Sequence, residues 1–554
     1  MPVRNGIVLL AALSMLLFLA ACGNGNTITN PVAPPSGNFS NSNLKGTYVF
    51  SVSGTDANGY PFAMLGTFTA NGNGGITAGA IDINDGEFPS GPLANSPINN
   101  NSTYTIGPDG RGLVTLGVPG NPFGSPSGAN IILDCVLADN SQGLVSAFDL
   151  NYSGSGTLDL QASGATAAGS YAFSLSGISS GGSLYATVGN FAVSGGAFSG
   201  LDDLNKGGLV NYPDQALTGS LTLGPSSTPA TTFDTTAFNG VFDTIAVDST
   251  HLKLIEMDST ATLSGDAYSQ STTTIAAGTL AFTLNGTVPS GAPLAAGGFM
   301  VTDGAGNITN ASTEDYNSGG SASSNPGPFS ATYTAAGTGR YTLANFATFV
   351  PGNATFVAYP SSGGLLLMED DSVGNITFGA AYPQTAGATF AASQGYALNL
   401  SAINLGAQTG APSEVDDIAE FTANSSGATV TGIIDENSPS GASSGGFGGV
   451  AGGPNGDLPL DGNYAAPDST GRGQISATAG NPNTGQGTLN GGFLINFYTT
   501  DGTTFPFIET DSGQVGAGIF LLQNPSGSSS AIAHSHMFVP RPLVRPHTAA
   551  KKKN

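Results

Sequence analysis

Three arginines stand in one repeated setting: Gly110-Arg111, Gly339-Arg340 and Gly471-Arg472. Only five basic residues lie between positions 46 and 530, so three of the five hold this one place. A guanidinium is a planar fork that bonds carboxylates in pairs. Two readings follow. Arg111, Arg340 and Arg472 pair with a carboxylate or cap carbonyls at one end of a β-domain, or they clamp a ligand carboxylate or sugar. A second set is acidic: Glu256-Met257-Asp258, Glu369-Asp370-Asp371 and Glu509-Thr510-Asp511. Two carboxylates at i and i+2 on a strand share a face about 6.5–7 Å apart, which overlaps the spacing of an inverting glycosidase pair. Its recurrence argues against catalysis, since enzymes rarely repeat an active site along one chain.

Other constellations are weaker. Asp-x-Asn recurs as Asp82/Asn84, Asp203/Asn205, Asp315/Asn317 and Asp435/Asn437. These side chains suit calcium, but Asp82-Ile83-Asn84-Asp85-Gly86 falls short of a calcium loop, and Asx residues at strand ends cap turns. Gly441-Ala442-Ser443-Ser444-Gly445 matches Gly-x-Ser-x-Gly without the strand-turn-helix setting of a nucleophile elbow. Cys135 sits in the apolar run Ile131–Leu137 and reads as a small buried hydrophobe. A catalytic thiol would want a nearby histidine, and the body offers His251 alone; His534 and His536 lie in the tail. No metal, cofactor or catalytic residue is assigned.

The elements that carry these residues repeat about every 110–130 positions. Each unit opens with a similar strand: Gly46–Val52, Gly169–Leu175, Gly278–Leu284 and Gln394–Leu400. Large apolar side chains alternate with small ones, so Tyr48, Phe50 and Val52 share a core-facing side, with Val49 and Ser51 opposite. A second strand follows, centred on Phe68, Phe191, Phe299 and Phe421, with Gly66, Gly189 and Gly297 two residues earlier in three units and Ala419 in the fourth. Gly/Asn turns such as Asn71–Gly74 join antiparallel strands. The third strand ends in Asp-x-Asn. The Gly-Arg turn comes next, replaced in the second unit by Thr218-Gly219-Ser220, and a strand ending in Gln161, Gln270, Gln384 or Gln523 closes each unit.

About eight short strands per unit point to an all-β chain of four small up-and-down, lipocalin-like barrels. The alternative is four Greek-key sandwiches. A single large propeller would need repeats of 40–50 residues. The units are 44–162, 166–271, 276–385 and 391–524. They follow a flexible Asn/Pro/Ser-rich tether at 22–43 and precede a disordered basic tail at 525–554.

Composition narrows the function. The 554 residues carry a net charge of −24, and only 9% are charged. Such a body repels phosphate backbones, which argues against nucleic acid. The apolar run Ile7–Ala21, behind Arg4, is short for a membrane span, and no later run matches it. It reads as a secretory signal over 1–21 with small residues at its cut site.

That signal ends Leu19-Ala20-Ala21-Cys22, and the four residues resemble the lipobox of bacterial lipoproteins. The resemblance implies cleavage before Cys22, a diacylglycerol thioether on its sulfur, an acylated (palmitate-type) amino terminus and a membrane as partner. Gly23, rather than Asp, follows the cysteine, which favours the outer membrane or cell surface. The body is similar to repeat-containing bacterial surface lipoproteins of unassigned function, through the Gly-x-Tyr-x-Phe opening and the Gly-x-Phe strand with its Asn-Gly turn. That likeness transfers no catalytic residue. The lipocalin likeness is architectural only, since the chain holds no Trp for a Gly-x-Trp opening. The expected function is a non-enzymatic binding or spacer array for glycan or envelope-protein partners. The alternatives are a secreted carbohydrate-active hydrolase using the Glu-x-Asp pairs and a carrier of small apolar ligands.

Overall fold

The computed structural model describes residues 37–86, 91–123, 130–208, 210–224, 231–346, 349, 354–374, 376–405, 412–438, 454–479 and 493–526. Cys22, the Gly441–Gly445 loop, His534 and His536 lie outside them. Apart from one 3-10 turn at Asn41–Asn43, every element among the described residues is a β-strand. The strands form four sheets. Three are closed eight-stranded barrels, running from Gly169 to Ser269, Gly278 to Pro383 and Gly395 to Leu522. In each, every strand pairs with its neighbours in sequence and the first pairs with the last. This up-and-down order excludes a Greek key.

The first unit, Lys45 to Leu160, has nine strands, because its fourth is broken into Leu93–Pro97 and Thr103–Ile106. Those two pieces are the edges of the sheet. The sheet still curls on itself into an incompletely closed barrel, barrel 1 (the three closed ones are barrels 2, 3 and 4 in chain order), since Thr103 bridges Gly75 and the Tyr104 N–H donates to the Gly74 carbonyl.

Period-2 alternation fills each interior. Tyr48, Phe50 and Val52 point into barrel 1, and Tyr171, Phe173 and Leu175 into barrel 2. The opening tyrosine has the same surroundings in three units. Its ring stacks on the second-strand phenylalanine, at centroid distances of 6.0 Å (Tyr48–Phe68), 5.6 Å (Tyr171–Phe191) and 5.3 Å (Tyr396–Phe421). Its hydroxyl donates to a loop carbonyl, of Asn140, Ser249 or Ala391. In barrel 4 the rings of Phe390, Phe497, Phe505 and Phe520 complete the packing, so side chains occupy the interior.

The second-strand glycine has a steric cause. Gly66 and Gly189 lie directly across the ladder from Phe50 and Phe173, whose rings lean over them. A Cβ on Gly189 would collide with the Leu201 carbonyl and the Phe173 ring. Gly297 serves a different neighbour: a Cβ there would meet the Tyr498 ring of barrel 4.

The outward face of the first two strands is not a solvent face. Val49, Ala63 and Leu65 of barrel 1 pack on Ile245, Val247, Ile255 and Met257 of barrel 2. Ala172, Ala186 and Val188 of barrel 2 meet Val357, Leu366 and Met368 of barrel 3. Ala295 of barrel 3 meets Ile508 and Val515 of barrel 4. Ala397 and Ile418 of barrel 4 return to Val136, Ala138 and Leu144 of barrel 1. Each barrel thus offers its first two strands to the sixth to eighth strands of the next. A head-to-tail contact of this kind closes a ring when its rotation divides the circle, and here four copies close it.

Gly189→Ala is expected to lower stability by about 1–3 kcal/mol through overpacking, read as a lower urea midpoint at unchanged slope. An unchanged midpoint would show that the glycine is not required by packing.

Candidate functional site: the seams between barrels

The recurring polar residues converge on the four seams. In Asp-x-Asn the middle residue points inward and the Asp and Asn point at the next barrel. The Asn amide caps carbonyls at the last hairpin of that neighbour. Asn84 donates to Glu256 O (2.8 Å) and Ala261 O (3.0 Å). Asn205 donates to Glu369 O (2.9 Å), and Asn317 to Asp511 O (2.8 Å) and Gln514 O (2.9 Å). Asn437 closes the circle on barrel 1, donating to Ala147 O (2.6 Å) and Tyr152 O (2.9 Å). The capped turn is the neighbour's own, which single-unit reasoning missed.

The closing glutamines act in the same direction. Gln161 donates to Ala246 O (2.8 Å), Gln270 to Pro360 O (2.9 Å), Gln384 to Thr470 O (2.9 Å) and Gln523 to Leu137 O (2.9 Å). A buried carbonyl left without a donor costs about 1–3 kcal/mol, so these amides make the seams specific as well as tight.

The aspartate of the same motif takes the arginine of the next barrel. Arg340 forks onto Asp203, Nε to Oδ2 at 2.7 Å and Nη2 to Oδ1 at 2.6 Å. Arg472 forks onto Asp315 at 2.7 and 2.9 Å. Arg111 places Nη1 2.5 Å from Asp435 and also holds Asp457 (2.7 Å) and Asp109 (3.1 Å). The hydroxyls of Tyr359 and Tyr498 add a donor to Asp203 (2.5 Å) and Asp315 (2.9 Å). Burial works against the charge on Arg340, but Asp203 outweighs it and its pKa rises. The three guanidiniums therefore face protein carboxylates.

Barrel 2 differs. Its Thr218-Gly219-Ser220 does not form the Gly-Arg turn; it lies inside the fourth strand, Val210–Ser220. The cation at the seam between barrels 1 and 2 is Lys253, whose Nζ is 3.1 Å from both Asp159 and Asp266 and 2.6 Å from the Thr157 hydroxyl. His251 Nε2 is 2.7 Å from Asp266 on its other side.

The acidic residues Glu256, Glu369 and Glu509 end the seventh strands, and all three are buried to 0% exposure. Asp258 and Asp511 lie beyond the strand, in the turn. Each lies close enough to its partner glutamate for its charge to raise the glutamate's pKa. The Thr260 hydroxyl donates to Glu256 (2.7 Å) and Asp258 (2.6 Å), and the Thr377 hydroxyl to Glu369 (2.7 Å). Burial, then Asp258, pushes Glu256 up to about 8; burial, then Asp511 and Asp417, pushes Glu509 well above its usual range. Asp202 joins the interior of barrel 2, where burial lifts it to about 7. It immediately precedes Asp203, so period-2 alternation was the signal that pointed it inward.

No protein-family model and no curated protein matches the chain. Among solved structures it is similar to the isotype 1 transferrin binding protein B from serogroup B Neisseria meningitidis, at 9% identity over 69% of this chain and 84% of that one, TM-score 0.20. It is also similar to kievitone hydratase from Nectria haematococca, at 11% identity over 65% of this chain and 90% of that one, TM-score 0.17. At such TM-scores neither likeness lends a role to any residue here.

Two outcomes follow from the geometry. Arg340→Ala leaves Asp203 buried without its cation and should cost about 3–5 kcal/mol, while Arg340→Ala with Asp203→Ala should cost less than the sum of the two single changes. A chemical-denaturation double-mutant cycle measures this. Glu256 has a folded pKa above its unfolded value, so it takes stability away as pH rises from about 4.5 to about 8. Glu256→Gln should therefore gain on wild type across that window, by up to about tenfold in the unfolding equilibrium per pH unit, and urea midpoints at pH 5 and pH 8 read the difference.

Proposed function

We propose that this chain is a lipid-anchored, extracytoplasmic, non-enzymatic lipoprotein whose ring of β-barrels is a rigid binding platform for glycan or envelope-protein partners. One observation carries the reading. The repeated residues able to do chemistry face other parts of the protein: arginines against aspartates of the neighbouring barrel, and glutamates turned into filled barrel interiors. What the ring offers outward is its turns, its loops and the exposed sides of the third to fifth strands, Leu113 and Tyr212 among them, held in fixed relation by four seams. Several weak contacts on one rigid frame gain strength from effective concentration. The anchor rests on Leu19-Ala20-Ala21-Cys22, with the outer membrane or cell surface as its place.

Cys22→Ser should move the protein from the detergent phase to the aqueous phase in Triton X-114 partitioning. Mass spectrometry of the wild-type amino terminus should find acyl chains on residue 22; an unmodified terminus that retains residues 1–21 would refute the anchor. The triple variant Glu256→Gln, Glu369→Gln and Glu509→Gln should leave polysaccharide binding unchanged. Hydrolysis by wild type that this variant abolishes would overturn the non-enzymatic reading in favour of a carbohydrate-active enzyme.

A further inference from the structure

The two ends of the barrel ring leave it at one place. On the amino-terminal side, Phe39 is buried in the core of barrel 1 and its N–H donates to the Pro108 carbonyl (3.2 Å). The Asn43 side-chain amide donates to Asn140 Oδ1 (2.6 Å) and to the Pro525 carbonyl (2.9 Å). On the carboxy-terminal side, the Gln523 amide donates to the Asp109 carbonyl (2.8 Å), and the Asn524 N–H to the Ala138 carbonyl (2.7 Å). Each end is therefore fixed to the same two turns of barrel 1, at 107–110 and 138–142, and Asn43 ties one end to the other.

The topology brings this about. An eight-stranded up-and-down barrel returns its last strand beside its first, and ring closure sets that last strand of barrel 4 against barrel 1. Residues more than 480 positions apart thus meet.

What lies beyond the two exits differs in chemistry. Cys22 is fifteen positions before Gly37. Arg541 is fifteen positions after Ser526, and Arg545, Lys551, Lys552 and Lys553 follow it, with no Asp or Glu from 525 to 554. Fifteen residues reach at most about 54 Å, so the first of these cations can come to the level of residue 22. Met537-Phe538-Val539 and Leu543-Val544 stand beside the arginines, and apolar residues next to cations suit the boundary between head groups and acyl chains. The carboxylates of the two exit turns are already engaged. Asp109 takes Arg111 Nε (3.1 Å), and Asp139 takes the N–H and hydroxyl of Ser141 (2.6 and 2.7 Å).

We propose that the cations of residues 541–553 bind the anionic, phosphate-bearing head groups of the membrane that holds Cys22. The ring is then attached by an acyl chain and a basic segment that leave it at one point, and the turns at 107–110 and 138–142 are on the side toward the lipid. Once the acyl chain is inserted, the second contact is intramolecular and gains from effective concentration. That the two attachments share a membrane rests on the reading of Cys22 as the lipid anchor; the affinity of the cations for an anionic surface does not.

Residues 22–554 with Cys22→Ser carry neither the signal nor an acyl chain and keep every described residue, so they isolate the cations. This protein should co-sediment with vesicles of phosphatidylcholine and phosphatidylglycerol, and not with vesicles of phosphatidylcholine alone. Each of Arg541→Gln, Arg545→Gln, Lys551→Gln, Lys552→Gln and Lys553→Gln should weaken binding about fivefold, and all five together should leave the protein in the supernatant. Raising salt from about 0.1 M to about 0.5 M should release the unsubstituted tail too, because the charges are screened. Equal sedimentation with and without the five substitutions, or on the two kinds of vesicle, would overturn the proposal. So would no sedimentation on either, the result expected if the segment is held by the acidic body of its own chain. Any of these with acyl chains found on residue 22 would leave the anchor standing; vesicle binding with an unmodified terminus would do the reverse.

Discussion

A carboxylate taken out of water between two barrels must meet a cation, a donor or a proton. Asp82, Asp203, Asp315 and Asp435 all stand in that position, and the rest of the assembly is arranged around them. Arg340 and Tyr359, Arg472 and Tyr498, and Arg111 with the Asp457 amide satisfy three of the four. The scarcity of basic residues has a structural sense on this account. A body with so few cations places most of them where a charge is buried.

Ring closure also answers the problem of a low-charge, strand-rich sequence. An apolar outer face such as Val49, Ala63 and Leu65 would be an aggregation hazard on an isolated barrel. Here each such face is covered by the next barrel, and the fourth returns to the first. In a linear array of repeats the two end faces need special capping; in this ring the Asn437 and Gln523 amides of barrel 4 cap the turns of barrel 1 instead.

Within one unit, much of this was legible in the sequence. The Tyr48-Val49-Phe50 alternation gave the inward face, Gly66 and Gly189 marked where an aromatic ring crosses the neighbouring strand, and the count of turns gave eight strands. The break of one strand at Asn99–Ser102 was not legible, because nothing in its composition distinguishes it from a turn. Nor was the joining of units. Asp-x-Asn and the terminal Gln were recognised as recurrent, yet a repeat within one chain carries no mark of which copy it touches. The roles of Asn317 and Gln270 emerge only when the turns of Gln514 and Pro360 are seen beside them. The Glu-x-Asp spacing misled for a local reason: the strand ends at the glutamate, so the strand separation of i and i+2 does not apply.

The closed ring is the claim on which everything else stands, and small-angle X-ray scattering of the purified protein tests it most directly. A ring predicts one compact particle for the four barrels, with a radius of gyration of roughly 23 Å by the scaling of folded domains and a pair-distance distribution with a single peak. An elongated profile with several peaks at the spacing of separate barrels would mean that the seams do not hold in solution, and would contradict the account.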